Sequence, residues 1–300
     1  MRQPTLKQLH ALVTVLDTGR FSEAARRLNV TQPTLSQQIR TLEDNLGGAL
    51  IDRNGVQPTP LGETVVARAR AVLREVNDLR EAAGGTLDGF GGLMRSGVLP
   101  TVGPYLLPPV LRLLHDRHSQ LQMHIREDRA SQLTLGLRDG RYDMVLGTAT
   151  PKPGPDEAWM ARHMLLEDPV RLGVASDHPF ANRNVLPRSM LSGQDMLTLS
   201  GGHTLQAFTE ELAREHGARV MDEFEGSSLD ALRQMVAIGM GIALFPGLYV
   251  RSEIERGDDV HMLDLDAPLK RHIGLLWRAS APRAEQFEAF ADELEAAIYV

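Results

Sequence analysis

The sequence predicts two unlike parts: an all-helical head over residues 1–58, and an α/β body beyond a long connecting helix. Three observations carry this. Apolar residues recur at helical spacing through the first 46 positions. A glycine cluster, Gly84, Gly85, Gly89, Gly91 and Gly92, then interrupts the chain. Beyond it, apolar runs of strand length alternate with amphipathic segments, the pattern of βαβ units with largely parallel sheets and helices on both faces.

Each element follows from its residues. Leu6, Leu9, Leu12, Val13 and Leu16 form the stripe of a first helix, which Gly19 ends. Ser22 is placed to cap a second helix whose Ala24, Ala25 and Leu28 share a face. Thr31 caps a third, with Pro33 in its first turn and a stripe of Leu35, Ile39, Leu42 and Leu46. Residues 49–58 read as an extended hairpin turning at Asn54-Gly55. Thr59-Pro60 opens a long helix to Ala83, with Val65, Val72, Leu79 and their neighbours along one side. In the body, strands are expected at 93–99, 121–127, 142–147, 170–175, 196–199, 241–245, 261–265 and 272–277. Helices are expected at 105–115, 131–138, 205–216, 229–238 and 283–297.

Composition narrows the chemistry. There is no cysteine among the 300 residues, so disulfides, thiolate metal sites and cysteine nucleophiles are excluded. The most apolar stretch, 240–250, is about half the ~20 residues of a membrane helix and is broken by Gly and Pro. With no secretory signal pattern at the start, a cytoplasmic location without membrane contact is expected. Net charge is −7, yet residues 1–58 hold seven basic side chains against five acidic ones. A slightly basic head on an acidic body points to a local polyanion contact. No nucleophile elbow, P-loop or complete dinucleotide fingerprint occurs, so no enzyme is expected. His115, Asp116 and His118 have metal-ligand spacing, but a solvated helix end explains them better.

The third helix sets Gln32, Pro33, Thr34, Ser36, Gln37 and Arg40 opposite its leucine stripe. A helix-turn-helix needs this division: apolar residues seat the helix, while amides, hydroxyls and arginine reach base edges and phosphates. The hairpin after it would be the wing, with Arg53 near the backbone. Amphipathicity alone favours a plain helical bundle with a solvated polar face.

The wording of these segments goes further. Gly19-Arg20-Phe21-Ser22-Glu23-Ala24-Ala25, then residues 30–39 (VTQPTLSQQI), Leu50-Ile51-Asp52-Arg53 and Thr59-Pro60-Leu61-Gly62 resemble the LysR-type transcriptional regulators. Departures are Ile51, where the family usually has Phe, and Asn54, near which a second basic residue is common. The resemblance implies a winged helix-turn-helix, a linker helix that dimerises, and a periplasmic-binding-protein-like effector domain of two subdomains. Expected bounds are 1–58 for the DNA-binding domain and 59–91 for the linker helix and hinge. Residues 92–300 form the effector domain, with subdomain one at 92–162 plus 267–300 and subdomain two at 163–266. Implied partners are a two-fold symmetric double-stranded DNA operator, further copies of the chain as a dimer of dimers, RNA polymerase and a small-molecule effector.

The body is similar to the peroxide-sensing OxyR branch, through residues 97–108 (GVLPTVGPYLLP), 177–183 (DHPFANR), 228–233 (SLDALR) and 241–246 (GIALFP). The resemblance fails at the switch. Where that branch has its reactive cysteine, after Gly202-His203, this chain has Thr204, and the partner position falls near Ala213. Ala130 stands at the position of a pocket threonine. A threonine hydroxyl is neither ionised at neutral pH nor able to form a disulfide. Three replacements stay open: an ordinary metabolite, a bound flavin such as FMN, or oxidation of a methionine such as Met240. Thr101, Val102, Gly103, Ser131, Gln132, His203, Thr204, Ser227 and Ser228 precede or begin predicted helices and are the expected effector contacts. A solute-binding protein fits residues 92–300 but leaves the helix-turn-helix unused.

Overall fold

The computed structural model describes residues 3–52, 55–83, 92–118, 121–199, 204–221, 228–254 and 259–298. The chain divides into two compact units, Met1–Thr86 and Leu87–Val300.

In the first unit α1 (Leu6–Thr18), α2 (Phe21–Arg27) and α3 (Gln32–Leu46) follow one another through tight turns. Thr5 and Gln8 cap α1 reciprocally: the Gln8 N–H donates to the Thr5 hydroxyl at 3.3 Å, and the Thr5 N–H to Gln8 Oε1 at 2.9 Å. The residue preceding α2 is Arg20, without a side-chain cap. The Ser22 cap is therefore corrected, because Phe21 is already helical and Ser22 lies inside the first turn. Thr31 caps α3, accepting from the Thr34 N–H at 3.4 Å. Leu12, Val15, Ala25, Leu35, Ile39 and Leu42 close a common core. β1 (Ile51–Asp52) and β2 (Gln57–Pro58) pair antiparallel, and α4 (Pro60–Ala83) follows. Gly62 lets α4 pass the backbone of Leu50: a β-carbon there would lie 1.9 Å from the Leu50 carbonyl oxygen. Arg70 of α4 pairs with Asp17 of α1.

The second unit begins with β3 (Gly92–Val98), α5 (Gly103–Arg117), β4 (Leu121–Glu127), α6 (Ala130–Arg138) and β5 (Met144–Thr148). β3 pairs in parallel with both β4 and β5. β6 (Met160–Ala175) then runs for 16 residues. β7 (Val185–Leu186), β8 (Asp195–Leu197), α7 (Thr204–His216), β9 (Arg219–Val220), α8 (Leu229–Ala237), β10 (Ile242–Pro246), a single turn α9 (Gly247–Tyr249) and β11 (Val260–Leu265) come next. β12 (Leu269–Arg278) returns along β6, from Leu269 opposite Val170 to Arg278 opposite Met160, and α10 (Ala284–Ile298) follows it. The strand order is β4-β3-β5-β12-β6-β10-β8-β9, with β11 also on β6.

This sheet is mixed rather than largely parallel. β12 runs antiparallel to β5 and β6, and β10 and β11 run antiparallel to β6. The cause is that the chain passes between two hydrophobic cores twice, in opposite directions. Leu165 and Ile273 belong to one core, Val170 and Leu265 to the other. The cores therefore change between Leu165 and Val170, inside one continuous strand, whereas the sequence placed the break at 162/163. The strand expected at 170–175 is the second part of β6. Its first part, Met-Ala-Arg-His-Met, carries too many polar residues to read as a buried strand.

Candidate functional site

The first unit presents a polar helix face. Leu35, Ile39 and Leu42 are buried, while Gln32, Pro33, Thr34, Gln37 and Arg40 are exposed and Ser36 is half-buried. Thr31 and Thr34 share a hydroxyl–hydroxyl bond of 2.8 Å, which holds the first turn. Gln37 Nε2 lies 3.4 Å from the Thr41 hydroxyl, which itself donates to the Gln37 carbonyl at 2.9 Å. Arg53 lies outside the described residues. Glu43 on the seated side accepts from the Leu50 N–H at 2.9 Å, fixing where the hairpin leaves the helix.

In the second unit, the strands that pass between the cores carry a buried ionic knot. Arg271 of β12 donates from Nε to Asp168 Oδ2 of β6 at 2.7 Å, and both side chains are out of solvent. Its Nη1 donates to the Thr101 hydroxyl and its Nη2 to the Thr101 carbonyl, each at 2.7 Å. Asp168 Oδ1 accepts from the Leu248 N–H at 2.8 Å. Burial pulls the Arg271 guanidinium below its ordinary range, and the Asp168 charge opposes that pull. An arginine remains charged even so. The knot thus joins the loop before α5, both long strands and α9. Beside it Tyr105 and Tyr249 meet edge to face at 5.8 Å, and the Tyr249 hydroxyl donates to Asp230 at 2.7 Å. Burial, with the charge of Asp230 next, pushes the Tyr105 hydroxyl up to about 12.

The expected effector residues separate into three groups. Thr101, Val102 and Gly103 are buried: Thr101 is taken up by Arg271, and a β-carbon at Gly103 would lie 2.4 Å from Val98 Cγ1. They seat α5 and are corrected as free contacts. Ser131 and Gln132 are exposed on the first turn of α6, and Ser228 is exposed and caps α8, lying 3.5 Å from the Ala231 N–H. Thr204, the first residue of α7, donates to the Thr148 hydroxyl at the end of β5 at 3.3 Å. His203 and Ser227 lie outside the described residues. Met240 is 50% exposed, beside the exposed Ile238.

Residues that, Ala130 apart, sequence reading missed surround a cavity of about 170 Å³ that Thr148 also lines. Leu99, Leu133, Leu137, Val145 and Leu276 form its apolar wall. Ala130, Thr134, Thr148, Trp159 and Arg162 also line it. Arg138 sits over the Trp159 ring, 4.9 Å from its centre. Arg162 Nη1 donates to the Thr150 carbonyl at 2.8 Å and to Glu157 Oε2 at 3.0 Å. Nothing in the sequence marks Arg162, because its partners belong to an irregular loop. The group with metal-ligand geometry among the described residues is His163, Glu288 and Asp292, not His115, Asp116 and His118. His118 instead bonds Glu293 at 3.1 Å.

A helix-turn-helix head followed by a two-core α/β body defines a class of bacterial gene regulator, and the comparisons agree. Residues 6–63 match the bacterial regulatory helix-turn-helix protein, lysR family, and residues 88–298 match the LysR substrate binding domain. The chain belongs to the LysR family of DNA-binding transcriptional regulators. It is 36% identical over 293 residues to the DNA-binding transcriptional dual regulator OxyR of Escherichia coli K12, covering 97% of this chain and 95% of that one. The HTH-type transcriptional regulator EstR of Acinetobacter baylyi is 31% identical over 296 residues, covering 97% and 96%. Among solved structures, a full-length OxyR mutant from Pseudomonas aeruginosa superposes with a TM-score of 0.75 at 29% identity, covering 98% of each chain. A hydrogen-peroxide-bound mutant of Corynebacterium glutamicum OxyR gives 0.65 at 33% identity, covering 99% of this chain and 94% of that one. Against these relatives the chain holds no cysteine. No described helix is long and apolar enough to cross a membrane.

Proposed function

We propose that this OxyR-related regulator answers a small molecule held without covalent chemistry, and that the Thr148–Thr204 hydroxyl pair is where binding is read. The observation that carries this is Thr204 at the first position of an unbroken helix, bonded to β5. Ala213, at the second position the OxyR branch uses, is buried in the same helix. Nine helical residues span about 13.5 Å, far beyond disulfide reach. A disulfide switch would have to unwind α7; a ligand competing for a 3.3 Å hydroxyl contact need only displace one weak bond. A tenfold preference for one arrangement supplies about 1.4 kcal/mol, enough to shift how the heads are presented.

In this reading β1–β2 is the wing, α3 the recognition helix, and α4 the linker that pairs two copies. Support for pairing is the exposure of Val72 and Leu79, 44% and 70%, on the apolar side of α4. The assembly is a dimer of dimers on a two-fold operator, in the cytoplasm, with RNA polymerase beside it, and it performs no catalysis. Domain bounds are 1–58, 59–91 and 92–300.

Footprinting on the chain's own upstream region tests the reading. Gln37→Ala or Ser36→Ala should cost about 1–3 kcal/mol at one base position. Arg53→Ala should weaken all sequences alike and flatten the salt dependence. Thr204→Val should remove ligand-dependent changes in the footprint while basal footprints persist, and His203→Ala should do the same. Retention of the response in both variants would place the pocket elsewhere. A peroxide response in protein free of chromophore would instead favour methionine oxidation.

A further inference from the structure

We infer that His163, Glu288 and Asp292 form a binding site for one divalent transition-metal ion of the zinc type, which clamps α10 to β6. The first observation is ligand geometry. His163 Nδ1 lies 3.2 Å from Glu288 Oε1 and 3.7 Å from Asp292 Oδ1, and the three ligand atoms all lie within 4.8 Å of one another. Zinc held at about 2.0–2.1 Å by nitrogen and oxygen sets tetrahedral ligands roughly 3.3 Å apart. Small side-chain movements therefore close these three on one ion. Glu288 and Asp292 stand four apart on α10, neighbours on one face of a helix. The second observation is that the ring is already aimed. Its Nε2 lies 2.7 Å from Glu295 Oε2, the carboxylate–histidine arrangement that orients a metal-ligating imidazole and raises its basicity. With Nε2–H donating to Glu295, the neutral ring presents a bare lone pair at Nδ1 to two carboxylates that cannot donate either.

Backbone and charge both serve that arrangement. β12 slips in register beside His163: Ile273 pairs with Leu166 but Gly274 with Met164, which leaves Leu165 unmatched. Such bulges re-aim the side chains next to them. The close approach needs glycine, since a β-carbon at Gly274 would lie 2.8 Å from the His163 carbonyl oxygen. The His163 side chain is only 16% exposed and so held, whereas Glu288 and Asp292 are open to solvent and leave an entry path. Among the described residues, the ion pairs of Glu288, Asp292 and Glu295 are all with His163. Even a protonated ring leaves three carboxylates facing a single positive charge, and like charges four apart on a helix repel. A dication at Nδ1 balances them better than the proton that fills the same gap in metal-free protein. The imidazole nitrogen selects zinc, cobalt or nickel over the oxygen-seeking magnesium and calcium. Binding here requires neither the effector nor DNA, so its failure is separable from failure of the regulator reading.

The test is calorimetric titration of the chelator-stripped full chain with Zn²⁺, with Mg²⁺ and Ca²⁺ as controls. Thermal melting with and without Zn²⁺ serves as a second readout. Zn²⁺ should bind and raise the melting temperature, and its affinity should exceed that of Mg²⁺ and Ca²⁺ by about tenfold or more. His163→Gln should weaken Zn²⁺ by about tenfold or more, because losing a ligand costs at least what losing an orienting partner does. Asp292→Asn should do the same at an exposed helix position where the fold is not at stake. His118→Gln, which removes the histidine bonded to Glu293, should leave Zn²⁺ binding unchanged. Absence of Zn²⁺ binding at about tenfold excess over protein would overturn the inference. So would Mg²⁺ or Ca²⁺ affinity equal to that for Zn²⁺, since the carboxylates alone would then be acting. Undiminished Zn²⁺ binding in either His163→Gln or Asp292→Asn, or a loss in His118→Gln as large as theirs, would place the ion elsewhere and overturn it too.

Discussion

The head and the body bury their cores by opposite means. In the head, α1 packs on α2, α3 and α4, and the helix ends are fixed by caps three residues long, such as Thr5–Gln8 and Thr31–Thr34, with Arg70–Asp17 as a longer tie. In the body, β6 and β12 pair residues roughly a hundred positions apart, and Arg271 meets Asp168 across 103 of them. A locally built unit presents a rigid face, which suits a helix that must read a fixed groove. A unit joined by two long strands and one polar knot has a place where two cores are coupled, which suits a part that must have two arrangements.

Breaking the knot should give the largest effect. Arg271→Met leaves Asp168 buried and uncompensated, which costs about 3–5 kcal/mol. Asp168→Leu combined with Arg271→Met removes the stranded charge and should recover much of that. Denaturant unfolding of the three proteins measures both. A loss below about 1 kcal/mol for Arg271→Met would show that the strands, not the knot, hold the body together.

The next variant asks whether the head is as local as it looks. Gly62, like the Arg70–Asp17 pair, is an exception, because α4 crosses the Leu50 backbone there. Gly62→Ala forces a β-carbon against a carbonyl oxygen and should cost about 1–3 kcal/mol through backbone displacement. Gly47→Ala, at a helix end with φ 79° and open space around it, strains only its own backbone and should cost less. Thermal melting of both variants gives the ordering; equal losses would mean that α4 adjusts its path freely.

The same contrast explains what could be read in advance. In the head the helices, the Thr31 cap and the exposed face of α3 follow from spacing over four to fifteen residues, so they were legible. Ser22 misled because a capping residue type one position too late looks the same in sequence. In the body most elements were legible, but their directions were not: nothing local says that β12 returns antiparallel along β6. The site suffered most. Thr101, Ser131 and Ser228 precede or begin helices as expected, yet Thr101 is buried against Arg271 while Ser131 and Ser228 are exposed. Arg162 and Arg271 read as solvated charges, since their partners come from a loop and from a strand 103 residues away.

The smallest expected effect concerns a body contact that resembles the head's surface pairs rather than the knot. His163 of β6 faces α10, with Nε2 2.7 Å from Glu295 Oε2 and Nδ1 3.2 Å from Glu288 Oε1 and 3.7 Å from Asp292. Burial works against the charged ring, but the bonds to Glu295 and Glu288 and their charges together outweigh it, so its pKa is raised. A raised pKa means that the folded state holds the proton more tightly than the unfolded chain does. The contribution to stability is therefore full below the ordinary histidine value of about 6.5 and fades as pH rises through the folded value. His163→Gln should flatten the stability profile above pH 6.5 by removing that fading, and should leave the spacing between wild type and variant smallest at high pH. Because the three carboxylates are partly exposed, salt should shrink the difference. Urea midpoints of both proteins from pH 5.5 to 8.5, at low and high salt, decide it. A wild-type advantage that grew with pH would reverse the sign and mean that His163 is held neutral against α10.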